Sequence, residues 1–338
     1  MINIDKNAIS RTASIDVSFF YTYAKLKFKL TLHSDETGFN RKIKDQNVHR
    51  PGLALAGFVE LFSYERVQIF GNTEVTYLKN LTPEKRFEAL KKLFEFPIPC
   101  IILTDQNQPF PEMVSLAIEA HVPLFSSPLL TTKLTYLISD FLDDQFAPRA
   151  SIHGSFVDVY GVGILFIGKS GVGKSEVALD LIERGHRLVG DDVIILTKKG
   201  EGILIGAGTS LVKHFMEIRG LGILDIQKMF GVRAIRHQKR LEVIVELEVW
   251  SEDSTYTRTG LDETLEKILD VEIPYVKLPI LPGKNITVIS EVIALHYLLK
   301  HYGYDAAEVF RDRLEKAILN KSKESPERGV KYFEHDFE

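Results

Sequence analysis

Residues 168 to 175 read Gly168-Lys169-Ser170-Gly171-Val172-Gly173-Lys174-Ser175, and this octapeptide guides the interpretation of the whole chain. It matches the phosphate-binding loop pattern G-x-x-x-x-G-K-[ST] at every fixed position. Residues 163–167 before it form a continuous apolar run, as a buried parallel strand requires. Residues 176–184 after it carry apolar side chains at helical spacing, and Gly185 stands where a helix cap is expected. The context therefore predicts a strand, a phosphate loop and a helix.

Each residue type in the octapeptide has a chemical reason to be there. The glycines let backbone N–H groups close around phosphate oxygens, and the helix N-terminus adds its positive dipole end. Lys174 supplies a mobile positive charge at the β- and γ-phosphates, and Ser175 offers a hydroxyl oxygen to Mg²⁺. The alternative, a glycine-rich turn that contains Lys-Ser by chance, leaves the flanking strand and helix unexplained.

Two adjacent carboxylates, Asp191 and Asp192, follow the predicted helix and one short strand. A strand, a helix and an adjacent strand would bring this pair back beside the phosphate loop. Carboxylates within an apolar segment are costly unless something uses them. They could hold Mg²⁺, or one could act as general base on an attacking hydroxyl. The alternative is a polar turn between two strands.

A single histidine, His153, precedes Gly154 at the start of a predicted strand over residues 155–160. A histidine beside a glycine is more often structural than functional. Near a transferred phosphate, however, its protonated ring would favour the negative charge of that phosphate.

Composition bounds the class of protein. The chain has 338 residues, of which 45% are hydrophobic and 26% charged, as in globular proteins and unlike disordered or fibrous ones. Its net charge of −4 argues against a strongly basic nucleic-acid binder. The one cysteine, Cys100, excludes an intramolecular disulfide. We find no secretory signal pattern and no apolar run of about 18–20 residues that could span a membrane, so we expect a cytoplasmic protein.

The first half of the chain alternates strand-like and helix-like segments, with Thr82 as a predicted helix N-cap and Pro83 at the first helical position. We predict strands over 67–71, 99–104 and 122–125, and helices over 83–94, 111–121 and 131–142. We predict that Asp143 to Arg149 form a linker. We also predict that the polar residues of the first half of the chain lie on a solvated surface and that this half contains no catalytic cluster.

The predicted fold class is α/β: a small N-terminal α/β domain plus a C-terminal P-loop kinase domain. The N-terminal domain would comprise residues 1–149 with the linker, and the catalytic domain residues 150–320. Residues 321–338, which are rich in Lys, Glu and Ser, would form a polar C-terminal tail.

The chain resembles the HPr kinase/phosphorylase family over residues 45 to 300. The resemblance rests on His153-Gly154, on the octapeptide followed by Glu176, and on Arg184 to Val189 with Asp191-Asp192. The most specific part is Met216-Glu217-Ile218-Arg219-Gly220-Leu221-Gly222-Ile223-Leu224-Asp225, which is similar to the signature of that family. The N-terminal half resembles it through Arg50 to Gly57 and Pro99 to Ile102.

The resemblance implies an enzyme that phosphorylates a serine of HPr, the small phosphocarrier protein of the sugar phosphotransferase system. The donor would be ATP or pyrophosphate with Mg²⁺, and the enzyme would also remove the phosphate with orthophosphate, releasing pyrophosphate. This activity regulates carbon metabolism. Members of the family are typically homohexamers, and neither nucleic acid nor membrane is an expected partner.

The same resemblance implies roles for single residues. The octapeptide would bind the nucleotide, with Lys174 on its phosphates. Asp192 would accept the serine proton and return it in dephosphorylation. His153 would lie beside the reacting phosphate, and we include Asp191 among the predicted catalytic residues. Ser175 and Glu217 would bind Mg²⁺. Arg258 would neutralise charge on the transferred phosphoryl group, and residues 216–225 would serve both reactions.

One loop departs from the family pattern. The family usually has Pro-x-Arg-Pro-Gly-Arg-Asn in the segment assigned to dephosphorylation. This chain has Pro279-Ile280-Leu281-Pro282-Gly283-Lys284-Asn285. Leu281 removes a positive charge, and Lys284 loses the bidentate geometry with which arginine binds phosphate. The departure predicts a weaker phosphorolysis or a lower affinity for orthophosphate, unless another cation such as Lys277 substitutes.

Several alternatives stay open at this point. The phosphate loop could serve a kinase of another protein or of free serine, or a nucleotide-sensing regulator without catalysis. From their spacing alone, Glu217 and Arg219 are equally well explained as an ion-paired surface, and Arg258 as an ordinary exposed arginine.

Overall fold

The computed structural model describes residues 9–200, 202–209, 213–250, 264–281 and 283–323. They fall into two compact units. One comprises residues 9–149 with 197–199, and the other comprises residues 150–196 and the described residues from 200 onward. Within these ranges no helix is long and apolar enough to cross a membrane. Arg258, Pro282 and residues 324–338 lie outside the described residues.

The first unit alternates strands and helices. Its strands are β1 (Ile9–Ser10), β2 (Ile15–Asp16), β3 (Thr31–Leu32), β4 (Lys42–Ile43), β5 (Val48–His49), β6 (Val67–Phe70), β7 (Ile101–Leu103) and β8 (Leu124–Ser126). Its helices are α1 (Val17–Lys27), α2 (Gly52–Leu55), α3 (Asn72–Lys79), α4 (Pro83–Phe94), α5 (Pro111–Glu119) and α6 (Thr131–Phe146).

The sheet of the first unit has the order β3-β8-β7-β6-β5, in which β5 to β8 are parallel and β3 is antiparallel at the edge. The predicted strands at β6, β7 and β8 and the three predicted helices are confirmed. Thr82 caps α4 by accepting a hydrogen bond from the Lys85 N–H, with Pro83 at the first helical position. The predicted α/β class is therefore confirmed for this unit.

The predicted linker after α6 is wrong in its first half. Helix α6 continues to Phe146, and strand β9 begins at Arg149. The buried stripe of this helix consists of Leu134, Ile138, Phe141 and Leu142, and Phe146 extends it by one more turn. The charges of Asp143 and Asp144 suggested a break in the helix, but the apolar spacing continues through them.

The expected solvated surface is also wrong for several polar side chains of this unit. Gln68 and Thr104 are fully buried, and Glu74 is nearly so. Gln68 donates to the carbonyls of Ser63 and Arg66, and Glu74 accepts from the Gly71 N–H and from Arg50. These groups can be buried because hydrogen bonds replace their contacts with water.

The second unit is richer in strands. They are β9 (Arg149–His153), β10 (Ser155–Val159), β11 (Val162–Gly168), β12 (Arg187–Gly190), β13 (Val193–Lys199), β14 (Ile203–Gly208), β15 (Phe215–Ile218), β16 (Gly222–Asp225), β17 (Lys239–Arg240), β18 (Val243–Val249), β19 (Leu265–Ile268) and β20 (Val271–Ile280). Its helices are α7 (Lys174–Glu183), α8 (Ile226–Phe230), α9 (Ile286–His301) and α10 (Ala306–Lys323).

The central sheet of the second unit has the order β12-β10-β11-β18-β20-β19. Strand β11 is parallel to β18, and β18 is parallel to β20, so these three carboxyl ends meet at one edge. Helix α7 packs on one face with Ala178 and Leu181, and the other face packs against a second core that contains Ile194 and Leu204. The phosphate loop thus leaves β11 at the edge that β18 and β20 share.

The strand after α7 does not lie next to β11 as predicted. Strand β12 pairs with β10, and β10 pairs antiparallel with both β11 and β12. Strands β10 and β11 are consecutive in the chain and form an antiparallel hairpin. Strand β10 therefore occupies the position beside β11 that the strand after α7 was expected to take. The acidic pair nevertheless returns to the phosphate loop.

Candidate active site

The phosphate loop is built on left-handed glycines. Gly168, Gly171 and Gly173 have φ angles of 141°, 79° and 101°, which side chains other than glycine rarely adopt. Gly173 is the N-cap of α7, so Lys174 and Ser175 occupy the first turn of that helix. The Lys174 ammonium donates to the Gly168 and Lys169 carbonyls, each at 3.2 Å. The lysine therefore lies across the loop, and its charge is available to an anion bound there.

Asp191 is turned into the protein. It is only 4% exposed, and its carboxylate accepts from the Ser175 hydroxyl at 3.0 and 3.2 Å. Burial raises the pKa of Asp191, and hydrogen bonds from Ser155, Ser175 and two backbone N–H groups partly offset that rise. The structure thus joins Asp191 directly to the serine of the phosphate loop.

Asp192 has the opposite environment. Its side chain is 74% exposed, and its Oδ1 lies 3.5 Å from the Nδ1 of His153, which is 80% exposed. Its backbone is left-handed, with φ of 68°, and its carbonyl accepts from the Gly154 N–H at 3.0 Å. This turn points one carboxylate inward and the next outward. The outward carboxylate and the histidine together face the solvent in which a reactant would arrive.

The hairpin β15–β16 brings a cation onto the phosphate loop. Arg219, in its turn, donates from Nη2 to the Ser170 hydroxyl at 3.0 Å. A Cβ on Gly171 would lie 2.6 Å from the Arg219 Nη1. The hairpin is fixed by Met216, which is 1% exposed in the core, and the nearby Glu217 N–H helps to lower the pKa of Asp191. Arg219 is thus bound to the loop rather than to a surface carboxylate.

The remaining residues of the hairpin shape it. Ile218 pairs with Gly222, Glu217 with Ile223, and Met216 with Leu224. Gly220 and Gly222 take left-handed φ angles in the turn, and Asp225 caps α8 by accepting a hydrogen bond from the Lys228 N–H. The side chains of Leu221 and Ile223 are 67% and 74% exposed. The hairpin therefore presents apolar side chains to solvent beside the phosphate loop.

The loop after β20 emerges at the same sheet edge. Gly168 is in register with Leu247, and Leu247 with Leu278, so Pro279 and Ile280 leave the edge two strands from the phosphate loop. Leu281 and Lys284 are half-buried, and the Lys284 N–H donates to the Leu281 carbonyl at 3.1 Å. Lys277 lies 3.3 Å from Glu248 and 3.9 Å from Glu246. Its charge is engaged by carboxylates, which argues against it as a substitute for the arginine that Leu281 replaces.

Ser175 and Glu217 carry side-chain oxygens, the donor type that a hard cation such as Mg²⁺ prefers. The described residues include no group of three or more His, Cys, Asp or Glu side chains that could hold a metal. Mg²⁺ usually keeps several waters and takes one or two protein oxygens plus substrate phosphates. The residues present therefore fit a metal that arrives with the nucleotide.

Sequence reasoning missed the ion triad that ties α7 to α9. Arg184 donates to both oxygens of Glu291, from Nε at 2.9 Å and from Nη2 at 2.6 Å, and His186 Nε2 lies 3.0 Å from Glu291 Oε1. The Arg184 hydrogen bond holds the pKa of Glu291 at about 2, with His186 contributing. More than 100 positions separate these partners in the chain, so no local pattern could have predicted the pairing.

Comparisons with known proteins identify related sequences over nearly the whole chain. Residues 144–314 match the model of the HPr Serine kinase C-terminal domain, and residues 19–142 match that of the HPr Serine kinase N terminus. An HPr kinase/phosphorylase of Chloroherpeton thalassium is 55% identical over 96% of this chain and 97% of its own. One of Prosthecochloris aestuarii is 50% identical over the full length of both. A solved Hpr(Ser) kinase/phosphatase from Coxiella burnetii is 34% identical over 47% of this chain and 97% of its own, with a TM-score of 0.43.

Proposed function

The chain belongs to the HPr kinase/phosphorylase family, and on that premise we propose that it phosphorylates a serine of HPr and removes that phosphate by phosphorolysis. The observation that carries the proposal is the exposed Asp192, paired with His153 and joined through its neighbour Asp191 to the serine of a phosphate loop. A sensor of nucleotides would have no need for an outward carboxylate there.

The forward reaction assigns the proton to Asp192. The serine oxygen of HPr attacks the terminal phosphorus of ATP or pyrophosphate, the bond from that phosphorus to its bridging oxygen breaks, and the serine proton passes to the Asp192 carboxylate. An exposed carboxylate can meet a serine that a protein substrate presents. His153, whose Nδ1 lies 3.5 Å from this carboxylate, would orient it and lie beside the transferred phosphate.

The reverse reaction uses the same groups. An orthophosphate oxygen attacks the phosphorus of phosphoserine, the bond to the serine oxygen breaks, pyrophosphate leaves, and Asp192 returns its proton to the serine oxygen. Residues 279–284 would bind orthophosphate, with Lys284 as a cation. Leu281 supplies no charge, so we expect orthophosphate to bind weakly.

Cations of this chain stabilise the charge that develops on the moving phosphoryl group. Lys174 and the N–H groups of the loop bind the donor phosphates, and Arg219 holds the loop through Ser170. Mg²⁺, held by Ser175 and Glu217, would supply further charge neutralisation. We assign the same kind of role to Arg258, which lies outside the described residues.

A protein substrate and an oligomer both need surface to bind. Leu221 and Ile223 on the hairpin beside the phosphate loop offer apolar contacts to HPr. Helices α9 and α10 expose a separate series of apolar side chains, and we propose that it contributes to a homohexamer. Its members are Val292, Leu295, Leu299, Phe310, Leu314 and Ile318. The cytoplasm, with its supply of ATP, is the proposed compartment.

The variant Asp192→Asn tests the proposed role of the carboxylate. Asparagine keeps the size of the side chain and tolerates left-handed backbone, but it cannot accept the proton. We expect phosphorylation of HPr to fall at least about 1,000-fold, within the range that proton transfer contributes. Binding of ATP with Mg²⁺, measured by calorimetry, should stay within about threefold of wild type.

Asp270→Asn is the matched control. Asp270 is also left-handed, with φ of 65°, and its side chain is 82% exposed, but it lies in the turn between β19 and β20. We expect it to retain wild-type turnover. Retained turnover in Asp192→Asn would refute the assignment of the proton to Asp192.

A further inference from the structure

The hydroxyl of Ser155 contacts Asp191 from the buried side of the candidate active site. Ser155 is fully buried at the first position of β10, and its hydroxyl donates to Asp191 Oδ1 at 2.5 Å. The resemblance to the kinase family assigns Ser155 no role, and no pattern in the sequence singles it out.

Asp191 accepts side-chain hydrogen bonds from two other elements of the fold. Hydroxyls donate to it from Ser155 in β10 and from Ser175 in α7, and the backbone N–H groups of Asp192 and Glu217 help to lower its pKa. A carboxylate that is 4% exposed depends on such donors, because water cannot replace them. Of the two hydroxyls, that of Ser155 belongs to the side chain that is fully buried, so it fixes the carboxylate from the protein side.

The orientation of Asp191 decides what Ser175 can do. A serine hydroxyl has one hydrogen to donate and two lone pairs to offer. Because Ser175 donates its hydrogen to Asp191, its lone pairs are left for a cation on the other side of the oxygen. If the Asp191 carboxylate turned, the Ser175 hydroxyl would turn with it, and its lone pairs would lose their direction.

We propose that Ser155 is a positioning residue for phosphoryl transfer: it holds the Asp191 carboxylate, which in turn orients the Ser175 hydroxyl toward the metal that accompanies the nucleotide. The inference rests on the proposed function, since it requires Mg²⁺ at Ser175. Residues that orient a metal ligand in this way typically change metal affinity or activity by roughly 10–100-fold when removed.

Ser290 supplies a matched control. It is also fully buried in the same unit, but its hydroxyl donates at 2.9 Å to the Ile286 carbonyl within its own helix. The substitutions Ser155→Ala and Ser290→Ala therefore remove the same atom from equally buried sites. A purely structural contribution would affect both variants in similar ways.

The experiment is a Mg²⁺ titration of nucleotide binding by the full chain, with a fluorescent ATP analogue and no HPr. We expect Ser155→Ala to raise the half-saturating Mg²⁺ concentration roughly tenfold or more, and Ser290→Ala to stay within about twofold of wild type. Ser155→Thr, which keeps the hydroxyl, should recover most of the Mg²⁺ response. Thermal unfolding of each variant establishes that it is folded at the assay temperature.

The inference would be overturned by a Ser155→Ala response within twofold of wild type, or by equal losses in the Ser155 and Ser290 variants. Nucleotide binding by wild type that is independent of Mg²⁺ would overturn it as well. A wild-type protein that binds nucleotide with Mg²⁺ but never phosphorylates HPr would contradict the proposed function alone, and the binding titration would still decide the role of Ser155.

Discussion

Replacing Glu291 with glutamine tests the ion triad that anchors α9 to the end of α7. Glu291 is 7% exposed and accepts two hydrogen bonds from Arg184 and one from His186, if the imidazole donates. Its pKa is about 2 instead of 4.5. At about 1.4 kcal/mol for each pH unit, this difference corresponds to on the order of 3 kcal/mol of stability at neutral pH.

The expected loss in Glu291→Gln is smaller than that, at about 2 kcal/mol. Arg184 is 43% exposed, so solvent screens part of its interaction with Glu291, and glutamine can still accept one hydrogen bond. For a unit of this size, about 2 kcal/mol lowers Tm by roughly 4–8 °C, which scanning calorimetry at pH 7 measures directly.

The pH dependence gives a sharper test. A carboxylate whose folded pKa is depressed contributes stability above its unfolded pKa and loses it as pH falls toward the folded pKa. Between pH 7 and pH 3.5 the difference between wild type and Glu291→Gln should therefore shrink by more than half. Glu65→Gln is the control, because Glu65 pairs with Lys44 where both are about half exposed, and its effect should stay within about 0.5 kcal/mol. A Tm difference below 1 °C at pH 7, or one that is equal at both pH values, would refute the role given to the triad.

Two further substitutions test the active site. Gly171→Ala should weaken ATP binding roughly tenfold, because φ of 79° disfavours alanine by about 1–2 kcal/mol and the new Cβ would lie 2.6 Å from Arg219 Nη1. Gly161→Ala is the control, because Gly161 also has a left-handed φ, of 86°, but no atom lies within 4 Å of the new Cβ. Calorimetry should detect no change in the ATP affinity of this control. Leu281→Arg should lower the KM for orthophosphate in phosphorolysis by about tenfold, while the KM for ATP stays constant. An unchanged KM for orthophosphate would show that this loop does not bind orthophosphate in phosphorolysis.

The sequence predicted local features of the site well. The phosphate loop, the helix after it and the turn at Asp191 and Asp192 depend on neighbouring residues, and the glycine spacing alone identifies the loop. Helix α4 was predicted with both of its ends because Thr82 and Pro83 are local signals.

Features that depend on residues far apart in the chain could not be predicted. Neighbouring carboxylates look alike in sequence, and only the left-handed backbone of Asp192 turns one inward and the other outward. The donation from Arg219 to Ser170 spans 49 positions, and that from Ser155 to Asp191 spans 36. Helix α6 continues beyond its predicted end at residue 142 because its apolar stripe extends to Phe146, although Asp143 and Asp144 lie between.

The most direct test of the account is a paired assay of the purified protein with HPr and Mg²⁺. One reaction contains ATP and follows formation of phosphoserine on HPr, and the other contains phosphorylated HPr and orthophosphate and follows release of pyrophosphate. We predict activity in both, with a high KM for orthophosphate because Leu281 supplies no charge. Absence of phosphoserine in the first reaction, from protein that binds ATP, would contradict the claim that this site transfers a phosphoryl group to HPr.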